Sequence, residues 1–328
     1  MSFYEIAKEE MQEIEKEIER TLANEPKEVY GMLLEYIKRG GKRIRPLLAI
    51  LCNKVCNGDP KKIIKAAAII ELFHNFTLIH DDICDNSEFR RGKPTLHIEY
   101  GLPIALNSGD ALYTLIWQKI THLDLEPAKL QEVQKMYALT FKKVVEGQGR
   151  ELDWHQNNKF SISESEYISM IDGKTTELMA FSCELGAFLA NSSQKEREAL
   201  KTYGQNIGKA FQIQDDILNV TGNFEKYKKE IGGDITEGKR TLMVIYTLEK
   251  TTNDESKRLK EILQSRKAGE KEIRYVIELF KKYGSIERAD KKARDLIESA
   301  KKNLDVLNTS HAKQVLIDLT NYMTSREN

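Results

Sequence analysis

Ala66-Ala67-Ala68-Ile69-Ile70-Glu71-Leu72-Phe73-His74-Asn75-Phe76-Thr77-Leu78-Ile79-His80-Asp81-Asp82-Ile83-Cys84-Asp85 is an apolar run that ends in three acids. On a helix, Asp81 and Asp85 are four residues apart and Asp82 and Asp85 three, so the spacing puts their carboxylates on one face. Like charges so placed repel by roughly 0.2–0.5 kcal/mol per pair even in water, and by more beside apolar neighbours. A cation is the simplest reason to keep them together. The pattern returns at Phe211-Gln212-Ile213-Gln214-Asp215-Asp216-Ile217-Leu218-Asn219, with Asn219 where a third acid would stand. Two acidic helix faces suit magnesium bound to a diphosphate, because magnesium takes one or two carboxylates and completes its octahedron with phosphate oxygens and water.

Outward from this stretch the chain reads as helix after helix. All six prolines lie between Pro26 and Pro127, and the remainder is rich in Ala, Leu, Ile, Glu and Lys. Helices are expected over 2–22, 29–38, the segment entering at Pro46 and running to Leu51, 61–85, 107–121, 127–150, 163–190, 195–220 and 240–249. Residues 86–103 read as irregular and ligand-facing. Gly147-Gln148-Gly149 and Asp172-Gly173-Lys174 read as kinks. Tyr227 to Lys239, with three glycines among lysines, reads as a phosphate-covering loop. Residues 255–325 read as a charged, solvated outer layer of amphipathic helix. There is no strand pattern and no low-complexity linker, so one all-α domain over 1–328 is expected, with a catalytic core at about 29–250.

Lys plus Arg and Asp plus Glu are equal at 51 each, which leaves no global field for nucleic acid or an anionic membrane. Cys52, Cys56, Cys84 and Cys183 follow no disulfide framework and point to a reducing compartment. The acidic N-terminus lacks the regions of a signal peptide, and no apolar run reaches the length of a membrane span. A cytoplasmic protein is expected.

Basic residues answer the acids. His74 lies two turns before Asp81 on the same face, and Arg90 and Arg91 follow the acids. Lys42 and Arg45 sit at a helix entry, where backbone N–H groups also attract anions. Together these cations suit a second diphosphate held without metal.

Gly41-Lys42-Arg43-Ile44-Arg45-Pro46, Asp81-Asp82-x-x-Asp85 followed by Arg90-Arg91-Gly92-Lys93-Pro94, Lys174-Thr175, and Phe211-Gln212-x-x-Asp215-Asp216 together resemble the trans-isoprenyl diphosphate synthase family. The resemblance runs in order from about residue 29 to 250. It implies an all-α isoprenoid synthase bundle around a deep cavity, usually a homodimer, and a magnesium-dependent prenyltransferase. By the same resemblance, Lys42, Arg45, His74 and Arg91 would hold isopentenyl diphosphate, and Arg90, Lys174, Lys229 and Lys239 the allylic diphosphate. Asp81 and Asp85 would bind two magnesium ions and Asp215 a third. Lys174, Thr175 and Gln212 would be the catalytic set, with Thr175 and Gln212 beside the developing cation. Asn219 departs from the family's usual third aspartate, which implies weaker magnesium binding there.

Product length in the family is set beneath the first acidic motif. Phe76 stands where an aromatic limits growth, and no two-residue insertion is present, which by resemblance favours geranylgeranyl diphosphate (C20) over farnesyl diphosphate (C15). Ideal helical geometry brings Thr77 and Phe73 nearer the acid face than Phe76, so either phenylalanine could form the floor. A terpene cyclase would not need Lys42 and Arg45 and would carry an Asn/Ser/Glu second motif. A non-catalytic subunit of a heteromeric synthase would lose first-motif acids, and this chain keeps all three.

Overall fold

The computed structural model describes residues 5–23, 26–222 and 232–324. Lys229 and the start of the expected phosphate-covering loop lie outside them. The described residues divide between two compact units, one drawn from within 1–139, 181–200 and 306–316, the other from within 140–180, 201–305 and 317–328.

The first unit is built around the opening stretch. Helix α1 spans Lys8–Leu22, α2 Lys27–Lys38 and α3 Ile44–Val55, and the acid-tipped helix α4 spans Ile64–Cys84 after a 3-10 turn at Pro60–Ile63. Pro46 sits in the first turn of α3, where its missing N–H is no loss. Two-residue strands β1 (Phe89–Arg90) and β2 (Lys93–Pro94) pair antiparallel across Arg91-Gly92, so the segment expected to be irregular holds a tight hairpin. Arg91 and Gly92 both have positive φ, 53° and 74°, as a type I′ turn requires. Helix α5 is Leu96–Glu99, and α6, Leu102–Thr121, opens at Gly101 and Pro103. Helix α4 packs on α1, α3 and α6, burying Ile69, Ile70, Leu72, Phe73, Phe76 and Ile79. By length and composition Pro60–Cys84 could cross a membrane, but most of it is buried inside this unit. A cleft of about 140 Å³ opens beside α4, lined by Ala68, Ile69 and Leu72 and by Thr21 and Lys119.

Helices α7 (Pro127–Gln156), α8 (Glu164–Ile171), α9 (Glu177–Leu189) and α10 (Gln194–Thr221) follow. The division between the units falls within α7, α9 and α10. Ser163 and Glu166 close a capping box that starts α8. One of the two expected kinks is real: Asp172–Thr176 is a π turn. The other is not, because α7 runs unbroken through Gly147-Gln148-Gly149. Gly147 is there for room. A Cβ on it would lie 2.2 Å from the Lys174 backbone nitrogen, and one on Gly173 would lie 2.7 Å from the Lys143 carbonyl.

The second unit continues with α11 (Gly233–Thr236), α12 (Leu242–Leu248), α13 (Asn253–Ser265), α14 (Glu270–Lys282) and α15 (Ser285–Asn303). Helix α16, His311–Thr324, ends the described chain. The expectation of a solvated outer layer is corrected here. Leu259 and Leu263 of α13, Val276 and Phe280 of α14, and Ala289 and Ala293 of α15 belong to the core around α12, and only the opposite faces carry the charge.

Candidate functional site

In the first unit the three acids at the end of α4 do not behave alike. They lie at the negative end of the helix dipole, where carboxylates are disfavoured without a cation. Asp82 is turned inward, 1% exposed. It accepts from the Tyr36 hydroxyl at 3.1 Å and from Arg90 Nε at 2.7 Å. Burial pushes the Asp82 carboxyl up, and Arg90 and Tyr36 pull it back. The expected single face of three acids is therefore corrected to two, Asp81 and Asp85, because 82 falls on the side facing α2. Asp85 caps the helix C-terminus and is half-buried, as is Asp81. Carboxylate oxygens one turn apart, with neither His nor Cys in the set, fit a hard cation that brings its own phosphate and water ligands. Among the described residues no three such side chains close a complete metal cage, as a magnesium site that shares its ion with a substrate does not require.

Part of the expected basic group comes together against the same helix: Arg45 of α3 and Arg91 of the hairpin turn reach His74 and Asn75 of α4. Arg45 Nη1 lies 3.2 Å from His74 Nε2. Burial, then Arg45 and Arg91, hold His74 well below its usual range. The ring is thus neutral, and Nε2 accepts from Arg45. Burial brings the Arg45 guanidinium down to about 10, and its Nε has no hydrogen-bond partner among the described residues, as expected of a group built to meet an anion. Arg91 donates to Asn75 Oδ1 at 3.4 Å, and its guanidinium lies against Gly41, where a Cβ would be 2.9 Å from Arg91 Nη2. Lys42 is exposed at the entry to α3. Arg90, by contrast, is spent on Asp82.

Several supporting residues went unread in the sequence. Glu71, 2% exposed inside the apolar run, accepts from Arg43 Nη1 at 2.8 Å and from Asn75 Nδ2 at 3.1 Å. Arg43 also pairs with Glu15 at 2.7 Å. A charge within an apolar helix demands a buried partner, so Glu71 was a signal that could have found Arg43. Nothing in the sequence marks Tyr36.

Phe76 stands in a row of rings on α4 and α6. Its centroid is 5.5 Å from Phe73, 4.8 Å from His80 and 5.0 Å from Tyr113, and Tyr113 lies 6.5 Å from Trp117. Phe73 is fully buried. Thr77 donates its hydroxyl to the His74 carbonyl at 2.8 Å. Gly109 lets α6 approach: a Cβ there would be 2.1 Å from His80 Nε2, on the residue preceding Asp81.

In the second unit, the end of α10 repeats this division of labour. Asp216, 6% exposed, accepts from the Tyr167 hydroxyl at 2.7 Å and from Gln212 Nε2 at 2.8 Å, while Asp215 is half-buried. Burial and then Asp234 push Asp216 up to about 8. Gln212 Oε1 accepts from Thr175 at 2.9 Å, so Thr175, Gln212, Asp216 and Tyr167 form one chain of hydrogen bonds. The π turn presents Lys174, which pairs with Glu151 of α7. Lys239 pairs with Asp234 at 3.3 Å and Glu237 at 2.5 Å.

A family model described as polyprenyl synthetase matches residues 26–280, across both units. The short chain isoprenyl diphosphate synthase of Methanocaldococcus jannaschii is 39% identical over 316 residues, 96% of this chain and 94% of that protein. The crystal structure of geranylgeranyl pyrophosphate synthetase from Pyrococcus horikoshii Ot3 superposes with a TM-score of 0.93 at 33% identity, covering 99% of this chain and 98% of that one. A polyprenyl synthase from Caulobacter crescentus CB15, solved with calcium and isoprenyl diphosphate, gives 0.90 at 28% identity, with 99% and 97% covered.

Proposed function

Since the chain belongs to the polyprenyl synthetase family and is a prenyltransferase of the short-chain type, we propose that it condenses isopentenyl diphosphate with allylic diphosphates to geranylgeranyl diphosphate (C20). The observation that carries this reading centres on one helix: α4 bears a carboxylate pair fit for a metal-bound diphosphate and, two turns earlier, His74, against which Arg45 of α3 is set, with Arg91 of the hairpin turn bonded to Asn75 beside it. An enzyme that only ionises an allylic diphosphate has no use for this second, basic group.

On this reading Asp81, Asp85 and Asp215 hold magnesium, three ions per active site. Bound magnesium neutralises the departing diphosphate and so eases ionisation of the allylic C–O bond. Lys174 and Lys239 hold the allylic diphosphate, with Arg90 available once released from Asp82, and Lys229 assigned by family resemblance alone. Arg45, Arg91 and Lys42 fix isopentenyl diphosphate. The neutral His74 accepts from Arg45 and so aims the guanidinium. Thr175 and Gln212 present oxygen atoms beside the developing cation. No side chain is needed as a strong base, since released diphosphate can take the proton. Phe76 sets the length, with Phe73 and Thr77 beside it.

The single family match across both units supports treating residues 1–328 as one catalytic domain. Phe89, Ile98, Leu102, Ile104 and Leu106 of the first unit are 45–67% exposed, and Leu102 and Leu106, one turn apart on α6, share a side that suits a homodimer contact. The free cysteines suit a cytoplasmic enzyme. Purified protein incubated with magnesium, labelled isopentenyl diphosphate and C5, C10 or C15 primers is expected to release a C20 product. Absence of incorporation with every primer would refute the synthase reading.

A further inference from the structure

The third position of the second acidic motif is engaged twice by the chain that returns to it. Asn219, 7% exposed near the end of α10, accepts through its backbone carbonyl from the Gly232 N–H at 2.8 Å. Its side-chain Oδ1 accepts from the Asp234 N–H at 3.1 Å. These N–H groups belong to the start of α11, whose own cap residue is Gly232, at φ 82°. Glycine has no side chain with which to satisfy the first N–H groups of a helix. Asn219 supplies the missing acceptor from another helix.

The contact reaches the phosphate-binding lysine in one further step. Asp234, fixed by Asn219, accepts the Lys239 N–H at 2.8 Å through its carbonyl and the Lys239 ammonium at 3.3 Å through its carboxylate. Asp216, Asp234 and Lys239 line one small hollow. A carboxylate at 219 would add a like charge beside Asp234 and push Asp216 further up, and an amide gives the same acceptor without one.

We propose that Asn219 is a positioning residue: it caps α11 from outside and thereby sets Asp234 and Lys239, and it is not a magnesium ligand. The part played by Lys239 rests on the synthase reading above; the cap does not. Hydrogen exchange is therefore read first on protein free of metal and substrate. Peptides covering residues 232–240 are expected to exchange about five- to tenfold faster in Asn219→Ala than in wild type, the size of a lost helix cap. Asn219→Asp, which keeps the acceptor, is expected to restore the slow rate. Asn219→Leu, which fills the volume without an acceptor, serves the same test if the alanine variant does not fold. In turnover, Asn219→Ala is expected to raise KM for the allylic primer several-fold with the half-saturating magnesium concentration unchanged. Wild-type exchange over 232–240 in both variants lacking the acceptor, or a magnesium shift in the alanine variant without faster exchange, would overturn the proposal. A protein that caps α11 in this way yet elongates no primer would count against the synthase reading alone.

Discussion

At the scale of single residues, the two acidic motifs share an arrangement that spacing alone does not reveal. In each, the second aspartate turns inward to accept from a buried tyrosine hydroxyl, Tyr36 for Asp82 and Tyr167 for Asp216. A hydrogen bond to a charged group contributes about 2 kcal/mol and one to a neutral group about 1 kcal/mol. Tyr36→Phe is expected to lower the unfolding free energy by about 2 kcal/mol and Tyr167→Phe, whose acceptor Asp216 is pushed up to about 8, by about 1 kcal/mol in metal-free urea titrations at neutral pH. Asp81→Asn removes a charge that opposes Asp82. It is expected to abolish magnesium-dependent turnover while shifting stability by less than about 0.5 kcal/mol. His155 supplies a pH test away from the acids. Burial holds it at about 4, below its unfolded value near 6.5, so its stabilising contribution is complete above pH 6.5 and is lost as pH falls towards 4. Between pH 7 and 5 the urea midpoint of wild type should fall further than that of His155→Gln. The acid clusters and the place of His74 on the helix that carries Asp81 were legible in the sequence because charge at helical spacing is a local signal, whereas Arg45 was joined to His74 only through the family resemblance. The tyrosines and Glu15 were not, since their partners are brought in by tertiary packing.

At the scale of elements, helix positions could be read because apolar periodicity and proline placement act within a few residues. What a glycine is for could not. Gly147 sits in an unbroken helix and is small because the backbone of the π turn carrying Lys174 passes against it. Gly147→Ala is expected to destabilise the protein by about 3 kcal/mol, as overpacking against backbone does, and to weaken allylic diphosphate binding by moving Lys174. Thermal unfolding together with KM for the primer checks both halves. The charged helices after residue 253 were misread for a related reason. Their high charge hides a narrow apolar stripe, and that stripe is what α12 packs against.

At the scale of the whole molecule, the exposed side chains of Phe89, Ile98, Leu102 and Leu106 are costly for a chain alone in water. On the proposed homodimer, wild type should sediment as a dimer and Ile98→Lys combined with Leu102→Lys should shift it to monomer; a monomeric wild type would count against the homodimer, and an unchanged dimer against this contact. On the proposed reading, the row of rings on α4 and α6 limits what the enzyme makes. Leu72 lies one turn before Phe76 and Ala68 two turns before it, on the same stripe, and both line the 140 Å³ cleft. On that reading, in which Phe76 sets the length, helix α4 would act as a measuring rod graduated in steps of about 5.4 Å, with an aromatic stop at one graduation. Phe76→Ala should lengthen the product, Leu72→Ala alone should leave it unchanged, and the double variant should lengthen it again, so that chain length rises in discrete steps.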